Sequence, residues 1–140
     1  MHNNIPEGPP YPIRSVTDGE YHYIRNLTPE AIYIEKHLMG QNQWHTYWPT
    51  WVFSSTFSPY NNWRVTRYMR RRPEQLYNTL EKPYEMDNQA HRRDLADVKQ
   101  RLSTELDRWM AEQGDPGAAI DTPEQWEAAR KGNHFPLPEK

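Results

Sequence analysis

Between Leu95 and Met110 the apolar residues Leu95, Val98, Leu102, Leu106, Trp109 and Met110 recur at spacings of three and four. That spacing draws one apolar stripe along a helix, and such a stripe must be buried against another element. The helix is predicted to run from about Arg92 to Gln113. Gly114 is a natural C-terminal cap and Pro116 prevents continuation, so the stop is as well marked as the period.

The partner surface is predicted to be a small antiparallel sheet. Ile13 and Val16 lie in a short β-prone run, Asp18-Gly19 is a two-residue hairpin turn, and Tyr21, Tyr23, Arg25 and Leu27 alternate on one face. This reads as a hairpin from Pro12 to Leu27. Glu74 to Thr79, with Leu76 and Tyr77, reads as a further strand of the same sheet, followed by a turn at Lys82-Pro83. The fold class is therefore α+β: a sheet of about four strands packed by one long C-terminal helix.

Between these elements lies a long aromatic-rich excursion, Thr28 to Asn62, which carries Trp44, Tyr47, Trp48, Trp51, Phe53, Phe57 and Tyr60 with no sustained period. Thr28-Pro29-Glu30 can start a helical turn over Ala31 to Leu38. After the excursion, Arg64, Arg67 and Arg71 fall at helical spacings, which predicts a short amphipathic helix from about Asn62 to Arg71, stopped by Pro73. Residues 1–10, with three prolines and a glycine, read as an extended lead-in. Residues 117–140 read as a C-terminal extension holding a short helix from Pro123 to Arg130, capped by Thr122 or Asp121, and a surface tail.

Composition narrows what such a fold can do. Its 140 residues allow one domain with its own core, and a hydrophobic fraction of 35% makes that core thin. Six tryptophans and nine tyrosines supply much of the apolar area, which makes a docking face plausible. The formal charge of -2 provides no global field towards nucleic acid or an anionic membrane, so neither is expected as a partner. Without cysteine there are no disulfides, thiolate metal sites or cysteine nucleophiles. No apolar run reaches the roughly 18 residues of a membrane span, and Met1 to Pro10 lacks the apolar stretch of a signal peptide.

Spacing alone assembles no catalytic constellation. There is no Gly-rich phosphate loop, no helical His-x-x-x-His pair and no nucleophile elbow. His22, in a predicted strand, and His91, near a helix start, read as solvated or locally hydrogen-bonded side chains. The arginines from Arg64 to Arg72 could clamp sulfate or phosphate through bidentate hydrogen bonds, although pairing with nearby acids such as Glu74 is the commoner use of such a run. The tryptophans could stack on sugar rings, whose C–H faces match flat aromatic faces. Burial against another domain is favoured, since exposing them all would create a large apolar patch.

Three segments, taken in order, point to a family: Tyr11-Pro-Ile-Arg-Ser-Val16, Arg72-Pro-Glu-Gln-Leu-Tyr77 and Pro83-Tyr-Glu-Met-Asp-Asn-Gln-Ala90, followed by a helix ending Arg108-Trp-Met-Ala-Glu-Gln-Gly-Asp-Pro116. They resemble the C-terminal region of sulfatases of the N-sulfoglucosamine sulfohydrolase type across about Tyr11 to Pro116. In that family Y-P-x-R-S-V opens the small domain, and L-Y-D followed by D-P-x-E-x-x-N-L-A connects strand to helix. Asn78, Lys82 and Gln89 depart from the two aspartates and the leucine of that pattern. Losing the local backbone bonds of an aspartate and the packing of a leucine should cost stability.

The resemblance implies a small α+β subdomain, residues 11–116, docked on a large alkaline-phosphatase-like N-terminal domain. That domain would carry the catalytic formylglycine, made from Cys or Ser in C/S-x-P-x-R, and acidic and amide ligands for one calcium ion. None of this motif is present here, and Ser58-Pro59 has the wrong spacing. The implied partners are that N-terminal domain and a sulfated carbohydrate, and the intact enzyme would be exported. Arg14 and His2, in or before the segment that opens the small domain, are the candidate substrate-pocket residues. The alternative is a stand-alone, non-enzymatic module that binds carbohydrate or protein through its aromatic and arginine side chains.

Overall fold

The structure, a computed structural model, describes residues 11–33 and 47–120 together with Glu124 and Glu127. The expected lead-in over residues 1–10, Trp44 and the C-terminal tail lie outside the described residues. Glu124 and Glu127, within the expected second helix, are helical. The described residues fall into two compact units, Tyr11–Pro29 with Arg72–Ile120, and residues 30–33 and 47–71 with Glu124 and Glu127.

The first unit holds three antiparallel strands in the order β1-β2-β3: β1 Ile13–Thr17, β2 Tyr21–Asn26 and β3 Glu74–Asn78. The fold is α+β. Register places Val16 opposite Tyr23, and Tyr23 opposite Leu76, so one row of side chains crosses all three strands on the same face. The β1–β2 turn includes Glu20 as well as Asp18 and Gly19. The Asp18 carboxylate accepts the N–H groups of Glu20 at 3.0 Å and Tyr21 at 2.7 Å, which draws the extra residue into the turn. Gly19, at φ +96, takes a conformation that a side chain would strain.

A 3-10 turn, Arg93–Leu95, leads into a long helix, Ala96–Glu112, which crosses the inner face of the sheet. Because its chain position follows two further helices in the second unit, it is α3. Tyr23, Leu76, Leu102 and Leu106 form the core, with Val16, Tyr21, Ala90, Leu95, Val98 and Met110 packed around them. Trp109 stays 45% exposed, so Met110 takes the last core place that the sequence period offered to both. The end of α3 is a Schellman motif. Gly114, at φ +63, donates its N–H to the carbonyl of Ala111, and Asp115 donates to that of Met110 at 2.8 Å.

A polar seam runs along one edge of this core. The Tyr23 hydroxyl donates to Glu74 at 2.6 Å, Lys99 of α3 donates to the same carboxylate at 3.1 Å, and Arg25 reaches the Ser103 hydroxyl at 2.7 Å and Asp107. The Tyr23 bond, and then that of Lys99, hold the Glu74 carboxyl below its ordinary range. Burial, and then the bond to Glu74, push the Tyr23 phenol up.

The second unit contains α1, Tyr47–Ser55, and α2, Pro59–Met69. Helix α1 was not expected from the sequence, because its apolar residues show no period and only Trp48 is buried. Pro49 falls within its first turn, where a missing N–H does no harm. At its C-terminal end the hydroxyls of Ser54, Ser55 and Thr56 each donate to the carbonyl three residues back, which satisfies groups that the helix leaves open. Helix α2 begins one turn earlier than its arginine spacing suggests, since Ser58 caps it by accepting the Asn61 N–H and Pro59 takes its first position. The excursion thus closes on itself: Trp48, Val65 and Tyr33 are buried, and Tyr33 donates its N–H to Met69 at 2.8 Å. Ala31, Ile32 and Tyr33 are not helical, and the rest of the helical turn expected over Ala31 to Leu38 lies outside the described residues.

Two outcomes follow from this core. Leu106→Ala should lower the free energy of unfolding by about 2–5 kcal/mol, read from urea denaturation, because its methyl groups are buried in a core with few others. For Glu74, a folded-state pKa below the unfolded one means stability that is present above the carboxylate range and lost as pH falls through the folded value. The difference in urea midpoint between wild type and Glu74→Gln should therefore be largest near neutrality and shrink on acidification; a difference that grows in acid would contradict the seam.

Candidate functional site

The three segments that carry the family resemblance all belong to the sheet unit, and side chains within them hold it together. The Asn88 side chain accepts the Leu76 N–H at 3.0 Å and donates to the Glu74 carbonyl at 3.2 Å, and Gln89 donates its N–H to the Leu76 carbonyl at 2.8 Å. An amide thus extends the ladder beyond the edge of β3 and ties the third segment to the second.

Arg14, the predicted substrate contact, is buried in β1. Its guanidinium forks onto Asp115, Nε to one carboxylate oxygen and Nη2 to the other at 2.9 Å, while Nη1 donates to the Ile13 carbonyl at 3.0 Å. The two side chains are 5% and 10% exposed. Asp115 also accepts the Gly117 N–H at 2.9 Å. The first and last segments of the resemblance are therefore clasped by one buried, bidentate ion pair, and Arg14 has its nitrogens committed inside the unit. His2, the other predicted pocket residue, lies outside the described residues.

The three positions that depart from the pattern each have a partner or a place in the sheet unit. Asn78 accepts the N–H groups of Leu80 at 3.1 Å and Glu81 at 3.0 Å, the local bonds that an aspartate would accept, and donates to Glu20 besides. The carbonyl oxygen of an amide serves this turn as a carboxylate would. Lys82 pairs with Asp87 at 2.7 Å on the surface. Gln89 is buried where a leucine was expected. His22 meets Glu85 at 2.6 Å, the local hydrogen bond that was expected of it, and His91 is exposed.

The helical-hairpin unit presents a different chemistry. The sequence has no Asp or Glu between Glu35 and Glu74, yet has Arg64, Arg67, Arg70, Arg71 and Arg72 there. Glu74, the nearest acid, is taken by Tyr23 and Lys99. Three of the arginines lie over aromatic rings: Arg64 over Trp51 at 5.3 Å and Tyr60 at 5.7 Å, Arg67 over Trp63 at 5.6 Å, and Arg71 over Tyr33 at 4.1 Å. Phe53 and Phe57, in edge contact at 5.2 Å, are 67% and 75% exposed. Trp48 is buried against Tyr68, so the accessible tryptophan of α1 is Trp51. An open cleft of about 170 Å³ lies between α1 and α2, lined by Trp51, Ser54, Asn61, Arg64 and Val65. The absence of acids was legible in the sequence and is the signal that singles out this stretch; the placing of Arg64, Arg67 and Arg71 over rings was not.

Among the described residues no three His, Asp or Glu side chains come together to hold a metal ion, and Ser58 is engaged in capping α2.

Asp115→Asn should destabilise the sheet unit by about 3–5 kcal/mol in chemical denaturation, since it removes the carboxylate charge that meets two nitrogens of the buried Arg14 guanidinium. The double change Arg14→Met with Asp115→Leu should recover much of that loss; equal loss in both would show that the pair itself is not what matters. No family model matches the chain, and neither does any curated protein.

Proposed function

We propose that this chain is the C-terminal subdomain of a sulfatase that hydrolyses sulfuric ester or N-sulfate groups of sulfated glycans such as heparan, and that it shapes the substrate pocket without holding the catalytic centre. The observation that carries the reading is the clasp between Arg14 and Asp115. It joins the segment that opens the resemblance to the one that closes it, 101 residues apart, as members of one subdomain would be joined. Asn88 adds the link between the second and third segments. On this reading Arg14 is a positioning residue that sets how the opening segment leaves the sheet, and His2 remains the candidate for direct contact with substrate. The chemistry at sulfur belongs to the formylglycine and calcium of the large N-terminal domain.

A stand-alone binding module is the second reading. It is favoured by the exposed aromatic and arginine side chains of α1 and α2, which need no catalytic domain to meet a ligand.

The coding sequence upstream of the Met1 codon decides between them. The sulfatase reading expects, in some frame, a large domain with C/S-x-P-x-R and acidic metal ligands, and expects the joined protein to release sulfate from a sulfated glycan. No such domain, or a joined protein that releases none, would overturn it in favour of the module.

A further inference from the structure

We infer that the cleft between α1 and α2 binds a sulfo group carried on a pyranose ring, with the Arg64 guanidinium as the anion clamp and the Trp51 indole as the ring platform. The inference shares the sulfated-glycan ligand of the proposed function but assigns a site that neither the clasp nor the resemblance supplies.

Charge comes first. Arg64 is exposed and has no carboxylate partner among the described residues, in a stretch of sequence free of acids. An isolated exposed arginine is ordinarily a mobile, solvated cation. This one lies over two rings, Trp51 at 5.3 Å and Tyr60 at 5.7 Å. Contact with ring faces leaves the N–H edges of the guanidinium available, and those edges match two oxygens of a sulfo group in bidentate fashion. Holding the fork in place beforehand lowers the ordering cost of binding.

The lining and size of the cleft select the rest of the ligand. Asn61 donates to the Ser54 hydroxyl at 3.1 Å, and that hydroxyl donates to the Trp51 carbonyl at 3.0 Å. The amide is thereby oriented, with its carbonyl oxygen left as an acceptor for a sugar hydroxyl. Trp51 is 39% exposed, enough to offer part of a flat face to the C–H groups of a pyranose. At about 170 Å³ the cleft is smaller than the roughly 300–1,000 Å³ of pockets that enclose drug-sized ligands, so it admits the substituents of one ring while the chain runs past outside. An acyl chain fits this lining poorly, because Asn61, Ser54 and Arg64 would lose water without gaining partners.

The test titrates the 140-residue chain, followed by tryptophan fluorescence and calorimetry, with a heparin-derived tetrasaccharide, the same tetrasaccharide after chemical desulfation, sodium sulfate, and anionic phosphatidylglycerol vesicles. The sulfated tetrasaccharide should bind at least about tenfold more tightly than either the desulfated sugar or free sulfate. Arg64→Ala should remove about tenfold or more of that affinity, Arg64→Lys should retain part of it, and Trp51→Ala should weaken the sugar without creating any preference for free sulfate. Arg101→Ala, on α3 and paired with Asp18, should leave binding unchanged. Circular dichroism of each variant checks that the helices persist. Equal affinity of wild type and Arg64→Ala, equal affinity for the desulfated sugar, or capture by vesicles alone would overturn the proposal, the last in favour of a membrane-facing hairpin. Tetrasaccharide binding with no upstream catalytic domain would sink only the sulfatase reading, and an active joined enzyme whose Arg64→Ala variant binds normally would sink only the cleft.

Discussion

The structure of the sheet unit depends on one requirement: the apolar stripe of α3 has to be covered, and three short strands are what the described residues offer to cover it. Four side chains, Tyr23, Leu76, Leu102 and Leu106, make up the buried centre. Polar contacts beside this centre help to specify the arrangement. The clasp of Arg14 and Asp115 at one end of α3 and the seam through Glu74, Tyr23 and Lys99 along its side fix where the helix lies on the sheet. A buried ion pair of this kind adds little net stability over a packed apolar pair, but any other arrangement of these residues leaves a charge unpaired in the interior. Its effect is to exclude alternatives.

Asparagine does similar work wherever the chain must turn away from the sheet. Asn88 extends the edge of β3 with its side chain, Asn78 closes the turn after it, and Asn26 hands the end of β2 to the segment before β3 by donating its backbone N–H to Pro73 at 2.9 Å. Each satisfies backbone groups that the short strands leave open. At Asn78 the turn uses a carbonyl-type oxygen to accept the N–H groups two and three residues on, a geometry that an amide supplies as well as a carboxylate.

In the helical-hairpin unit the same need for satisfaction is met by aromatic faces. Arg64, Arg67 and Arg71 lie over tryptophan and tyrosine rings, which shields part of the ring surface from water. Large side chains that stay exposed among the described residues of this unit include Phe53, Phe57, Tyr60 and Trp63.

The hairpin, the strand at Glu74 and the long helix with its stop were legible in the sequence, because each rests on local signals: alternation, a turn dipeptide, a period of three and four, and a glycine followed by proline. Residue spacing also marked α2, and Ser58-Pro59 would have placed its start. Helix α1 was not legible, since its apolar residues lie all round it and its C-terminal end is closed by hydroxyls and not by a cap that sequence rules recognise. Likewise, the sequence could name Arg14 and the arginine run as candidates but not say what they touch. Only the tertiary structure decided that Arg14 meets an aspartate 101 residues away, that Trp48 is inside while Trp51 is accessible, and that Arg64 lies over two rings beside a cleft. Local structure follows from interactions a few residues apart, which spacing records; the partner of a buried charge is set by where distant segments meet, which no local pattern contains.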